Sequence, residues 1–190
     1  MKVEILKYPN EKDLLWVRQC TLNTIGKSTT KQPTEKWLKQ LVEAEHSPIR
    51  ELWFGIKMEV PYWVAMHYRT HQISNGSYPQ FQLDIRPDFK NDYISTQRDD
   101  RLKDDTPRGK KPQDEMVSYI MSINAPALIN MAHRRLCKQA SKETREVMQE
   151  ICKQVIEVAP YMKDVLVPLC SYRGGICKEM FSCRKEKQNE

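Results

Sequence analysis

Two segments of the chain alternate apolar and polar residues with the period of a half-buried strand. In "WFGIKMEV" (53–60), Phe54, Ile56, Met58 and Val60 fall on one face, and Gly55, Lys57 and Glu59 on the other. Val117, Tyr119, Met121 and Ile123 repeat the pattern. Each segment runs straight into a helix signal. Pro61 stands where a first helical residue would be, and Asn124 with Pro126 opens "ALINMAHRRLCKQ". Strands that pass directly into helices constrain the chain to an α/β (α+β) class, a central sheet flanked by helices.

The flanking segments agree. "MKVEIL" places Val3 and Ile5 opposite Lys2 and Glu4, a further strand. Asn10 caps a short helix carrying Leu14, Leu15 and Val17, and Thr34 precedes a helix with Trp37, Leu38, Leu41 and Val42 on one stripe. Ser141 starts a long helix whose Val147, Met148, Ile151, Cys152, Val155 and Ile156 form an apolar face that stops before Pro160. Between the helices, "TIGKSTTKQP" (24–33) is a polar loop without the glycine spacing of a phosphate-cradling loop. Residues 73–114 are dense in Arg, Asp and Lys and carry little periodicity. A stretch of that length is a functional loop or disorder. The 190 residues suit one domain, 1–190, with an insertion at about 73–94 and a cysteine-bearing C-terminal tail at about 168–190.

Charge and cysteines narrow the partners. A net charge of +6 favours anionic ligands, while basic residues interleaved with acids, as in "KQASKETREVMQE", argue against a nucleic-acid stripe. The start "MKVEILK" lacks a signal-peptide core, and no apolar run is long enough to span a membrane. A cytoplasmic protein is expected, with its six cysteines as thiols or metal ligands.

Four clusters can carry chemistry. In "PYWVAMHYRTHQ" (61–72), His67 and His71 are one helical turn apart. A metal pair would need a third ligand and an intervening acid, and the residues between are Tyr68, Arg69 and Thr70. "DYISTQRDDR" (92–101) supplies Ser95 and Arg98, with Arg101 and Arg108, whose guanidinium forks suit a phosphate. "NAPALINMAHRRLCKQ" carries Asn124, Asn130, Arg134 and Arg135, which cannot all face one way on a helix, and Asn124 doubles as an N-cap. Cys170, Cys177 and Cys183 invite a metal reading, yet they lack the tight two-residue knuckle. A fourth ligand, Cys137 or Cys152, would have to come from the fold.

The order of these pieces resembles the flavin-dependent thymidylate synthase family: "EHSPIRELWFGIKMEVPYWVAMHYRTHQ", a Ser/Arg loop, "SINAPALINMAHRRLC", then a long amphipathic helix. The resemblance covers most of residues 34–160, and its Asn…Asn…Arg helix is the most specific part. The family's Arg-His-Arg triplet falls on Thr70, His71 and Gln72, so only the histidine is retained. Its Ser-x-Arg falls on Ser95 and Arg98, one position late, which marks a divergent "STQR-x-DR" type.

The resemblance implies a fold and a set of roles. Ser47, His71, Asn124 and Asn130 would bind FAD. His67, Ser95, Arg98, Arg108 and Arg135 would bind dUMP, and Arg135 would be catalytic. The implied activity is reductive methylation of dUMP to dTMP by a flavoprotein. Methylenetetrahydrofolate and NADPH would be co-substrates, and the enzyme would be a homotetramer with shared active sites. Two alternatives stand beside it: a relative acting on another pyrimidine nucleotide, its pocket reshaped by the insertion, and a non-catalytic nucleotide- or nucleic-acid-binding protein, which the non-matching Thr70 and Gln72 support. A third is an interaction protein stabilised by metal at Cys170, Cys177 and Cys183.

Overall fold

The computed structural model describes residues 1–69, 90–95 and 108–183. His71 and Arg98, and most of the expected insertion, lie outside the described residues. Four antiparallel strands form one sheet in the order β1-β2-β4-β3: β1 (Lys2–Lys7), β2 (Trp53–Pro61), β3 (Lys90–Ile94) and β4 (Met116–Asn124). The two alternating segments pair with each other along their whole length, from Trp53 opposite Asn124 to Pro61 opposite Met116.

One face of the sheet is the core. Phe54, Ile56, Met58 and Val60 of β2 and Val117, Tyr119, Met121 and Ile123 of β4 are buried, as the alternation requires. The intervening residues are exposed or half-buried. Gly55 lies opposite Lys7, where the β1 register shifts. A Cβ at Gly55 would lie 3.0 Å from the Lys7 Cβ, so the close approach of β1 favours glycine there.

Six helices complete the described chain: α1 (Glu11–Asn23), α2 (Glu35–Glu43), α3 (Tyr62–Arg69), α4 (Ala125–Arg135), α5 (Lys142–Val158) and α6 (Leu169–Tyr172). Short 3-10 turns at Ser47–Glu51, Arg108–Lys110 and Pro160–Met162 join them. The predicted caps are in place. Asn10 forms a reciprocal capping box with Asp13, Thr34 accepts from the Trp37 amide, and Ser141 accepts from the Thr144 amide. The apolar stripes of α2 and α5 are buried, including Leu38, Leu41, Val42, Val147, Met148 and Ile151.

Three details depart from the sequence expectations. Pro61 ends β2 rather than starting α3; with no amide to donate, it fits the last rung of a ladder. The helix opened by Asn124 stops at Arg135, with Leu136 as its C-cap, and does not continue to Gln139. Lys90–Ile94, inside the stretch read as aperiodic, is an edge strand on β4.

Candidate active site

β2 and β4 are antiparallel, so α3 and α4 leave the sheet from opposite ends, and their C-terminal turns meet. Arg135, in the last turn of α4, donates from Nη2 to the carbonyl oxygen of His67 at 2.7 Å. The Arg135 Nε is buried and, among the described residues, has no hydrogen-bond partner. Burial pushes the Arg135 pKa down, against a smaller opposing effect from Tyr68. A guanidinium with one arm fixed and one buried N–H unanswered is suited to an anionic or carbonyl oxygen.

His67 is held from three sides. Its ring stands edge-on to Trp63, with centroids 5.4 Å apart, and its carbonyl takes Arg135. Its Nδ1 lies 3.1 Å from the hydroxyl of Thr144 in α5. Thr144 is fully buried, and its hydroxyl accepts from Ser141 at 2.7 Å. The Thr144 proton is then available to Nδ1, which puts the ring proton of a neutral imidazole on Nε2. Burial lowers the His67 pKa from its ordinary 6.5, and the Arg135 charge lowers it further, so the neutral form is favoured. Beside it, Tyr68 donates its hydroxyl to the Thr144 carbonyl at 2.7 Å, and burial holds the phenol well above its usual titration range.

The remaining candidates are distributed differently. Asn124 is buried, and its Oδ1 accepts from the Ala127 amide at 3.3 Å, so it caps α4. Asn130 lies on the exposed side of α4. Ser47 is exposed at the start of the 3-10 turn that packs near the α4 N-terminus, where the Ala125 amide donates to the Leu52 carbonyl at 2.9 Å. Ser95 continues the β3–β4 ladder: its amide donates to Ser118 O at 2.7 Å, and its Oγ accepts the Ser118 amide at 2.9 Å. Arg108 opens the 3-10 turn that leads into β4. His67 and Arg135 are therefore brought together, while no described contact joins Ser47, Asn130 or Ser95 to that pair.

Thr144 and the Arg69–Asp92–Tyr119 group are additions that sequence patterning does not supply. Arg69 Nε is 3.7 Å from Asp92, which accepts the Tyr119 hydroxyl at 3.0 Å, tying the end of α3 to β3 and β4. Cys137, Cys152, Cys170, Cys177 and Cys183 are free thiols. Among the described residues, no group of three or more His, Cys, Asp or Glu side chains is arranged to hold a metal. Cys152 is buried in α5, and burial pushes its thiol up to about 12, so it is protonated and not a nucleophile.

Comparison with known proteins follows the same lines. A family model described as thymidylate synthase complementing protein matches residues 105–161, the segment holding Arg108, Asn124, Asn130 and Arg135. A solved thymidylate synthase X from Helicobacter pylori, with FAD and dUMP, superposes with a TM-score of 0.60 at 11% identity. The match covers 87% of this chain and 99% of that one. A second structure, flavin-dependent thymidylate synthase from Helicobacter pylori complexed with FAD and dUMP, gives 0.64 at 9% identity over 88% and 100%. The chain has the flavin-dependent thymidylate synthase fold. The family resemblance read from the sequence is thereby borne out. No curated protein sequence matches the chain. Among the described residues, no helix is long and apolar enough to cross a membrane.

Proposed function

We propose that the chain is a divergent flavin-dependent thymidylate synthase that methylates dUMP to dTMP, with FAD as cofactor and methylenetetrahydrofolate and NADPH as co-substrates. The observation that carries the reading is Arg135. It ends a helix inside the segment matched to the family, and it offers a buried N–H with no acceptor among the described residues. Placing a nucleotide oxygen there answers a polar group that otherwise carries a desolvation cost of about 1–3 kcal/mol.

The chain's own residues bind and orient. Arg135, clamped on the His67 carbonyl, holds the nucleotide at the junction of α3 and α4. His67 contributes a neutral ring whose tautomer is set by Thr144 and Ser141 and whose tilt is set by Trp63. Val64, Ala65 and Tyr68 of α3 are buried in the core with Trp63 packed against it, which fixes the helix that carries His67. Asn124 and Asn130 on α4, Ser47 and His71 would hold FAD. Asn130 and Ser47 have exposed side chains open to such a role, in a homotetramer whose active sites are shared between subunits. FAD, when bound, supplies the hydride that turns the transferred one-carbon unit into a methyl group. No cysteine nucleophile is needed, consistent with the protonated, buried state of Cys152.

Flavin titration of the purified protein tests the reading. Saturable uptake of FAD, with dUMP perturbing the bound flavin spectrum, supports it. A protein that stays colourless after FAD is added refutes it.

A further inference from the structure

The C-terminal segment is a built wall rather than a loose end. After α6, Gly174 and Gly175 adopt φ of +64° and +93°, a turn that side-chain-bearing residues resist, and the Gly175 amide donates back to the Cys170 carbonyl at 2.7 Å. Tyr172 packs on the ring of His133 in α4, with centroids 4.5 Å apart, and donates its hydroxyl to Glu45. Further on, Gln139 Nε2 donates to the Phe181 carbonyl at 2.6 Å. These ties close the segment over the α4–α5 junction and leave a cavity of about 1070 Å³ between them.

The cavity lining is strongly one-sided in charge. Among the described residues, Arg134, Lys138, Arg145, Arg173 and Lys178 line it, against one carboxylate, Glu179. Arg145 is committed to the turn before α5, donating to the carbonyls of Lys138 and Ala140. The other four basic residues pair with no carboxylate among the described residues. His133 is pushed toward its neutral form first by burial, and Cys137, Cys170, Cys177 and Cys183 are free thiols spread around the rim. Leu136, Pro168, Leu169 and Ile176 add apolar lining.

We propose that this cavity binds a small oligophosphate-bearing ligand of the nucleoside polyphosphate class, at a site separate from the Arg135 pocket. Clustered cations in a concave, partly apolar site focus a positive potential, and their mutual repulsion is relieved by a multivalent anion. The volume suits a nucleotide-sized molecule rather than a helix or a duplex. A smaller cavity of about 290 Å³, which includes Arg135, shares Arg134, Cys137 and Glu179 with this one, so the two sites adjoin.

The test is calorimetric titration of the full chain with inorganic tripolyphosphate, with and without saturating dUMP. The proposal expects saturable 1:1 binding that persists in dUMP. It should weaken by about tenfold or more in Lys138→Ala/Arg173→Ala/Lys178→Ala, whose substitutions remove exposed side chains. The same triple variant should keep the wild-type circular dichroism spectrum. ATP in place of tripolyphosphate distinguishes the sources: tighter binding of ATP places a nucleoside against the apolar lining, and equal binding restricts the site to the phosphate chain. Binding that is lost in dUMP, that is unchanged in the triple variant, or that never saturates overturns the proposal.

Discussion

Replacing Thr144 by Val removes one hydroxyl and keeps the shape. Thr144 is fully buried at the third residue of α5, and its hydroxyl links Ser141 at 2.7 Å to His67 Nδ1 at 3.1 Å. The helix cap survives the change, because the Thr144 amide still donates to Ser141 Oγ, and the carbonyl still takes Tyr68. Two polar groups lose their partner. Each such bond contributes about 0.5–1.5 kcal/mol net, and half-buried Ser141 and His67 regain part of it from water. The expected loss is therefore about 1–2 kcal/mol. For a chain of this size, each kcal/mol moves the melting temperature by about 2–4 °C, so Thr144→Val should melt roughly 2–8 °C lower. A urea midpoint shifted at constant slope should give the same loss. Deleting the donor to Nδ1 also moves the His67 titration, followed by NMR, up toward its ordinary value. Thr144→Ser keeps the hydroxyl and should leave that titration in place while losing a methyl group's packing. A Val variant as stable as the wild type, with His67 titrating unchanged, would refute the hydroxyl relay.

Other expectations concern pH, the nucleotide and the α4 cap. His67 and His133 both have folded pKa values lowered chiefly by burial, so between those values and 6.5 the unfolded chain binds more protons than the folded one. Stability should accordingly be full above about pH 7 and fall as pH drops through that window; denaturation midpoints that stay flat from pH 7 to 5 would contradict this. Arg135→Ala should weaken dUMP binding by about 10–100-fold, the size of a lost charge-assisted hydrogen bond, and unchanged affinity in calorimetry would rule out its assigned role. Asn124→Ala should cost about 0.5–2 kcal/mol through the lost cap, while Asn124→Asp retains most of it; equal thermal stability of the Ala variant and the wild type would show that the cap contributes nothing.

Much of the fold was legible because the signals were local. The period-two faces of 53–60 and 117–123 specified which residues β2 and β4 bury, and Asn10, Thr34, Asn124 and Ser141 marked helix starts through side-chain oxygens. β3 escaped notice because "KNDYI" is short and polar, and becomes a strand only by pairing with β4. The end of α4 at Arg135 was hidden for a related reason: "LCKQ" is compatible with helix, and the break comes from the turn that Arg145 holds through two carbonyls. The site was legible in its residue types but not in its contacts. His67 and Thr144 are 77 residues apart, and no local pattern announces their meeting. Asn124, Asn130 and Arg135 share a helix yet face different surroundings, so the spacing that resembles the family does not by itself assemble a pocket within one chain. The cysteine spacing was equally incomplete: Cys137 does join Cys170, Cys177 and Cys183 around one cavity, but without metal-holding geometry among the described residues.

The central claim is catalytic, and product formation tests it most directly. Purified protein supplied with FAD, dUMP, methylenetetrahydrofolate and NADPH should form dTMP, identified by mass spectrometry, with a yield that depends on FAD and collapses in Arg135→Ala. A folded, FAD-loaded protein that forms no dTMP from this mixture would contradict the account.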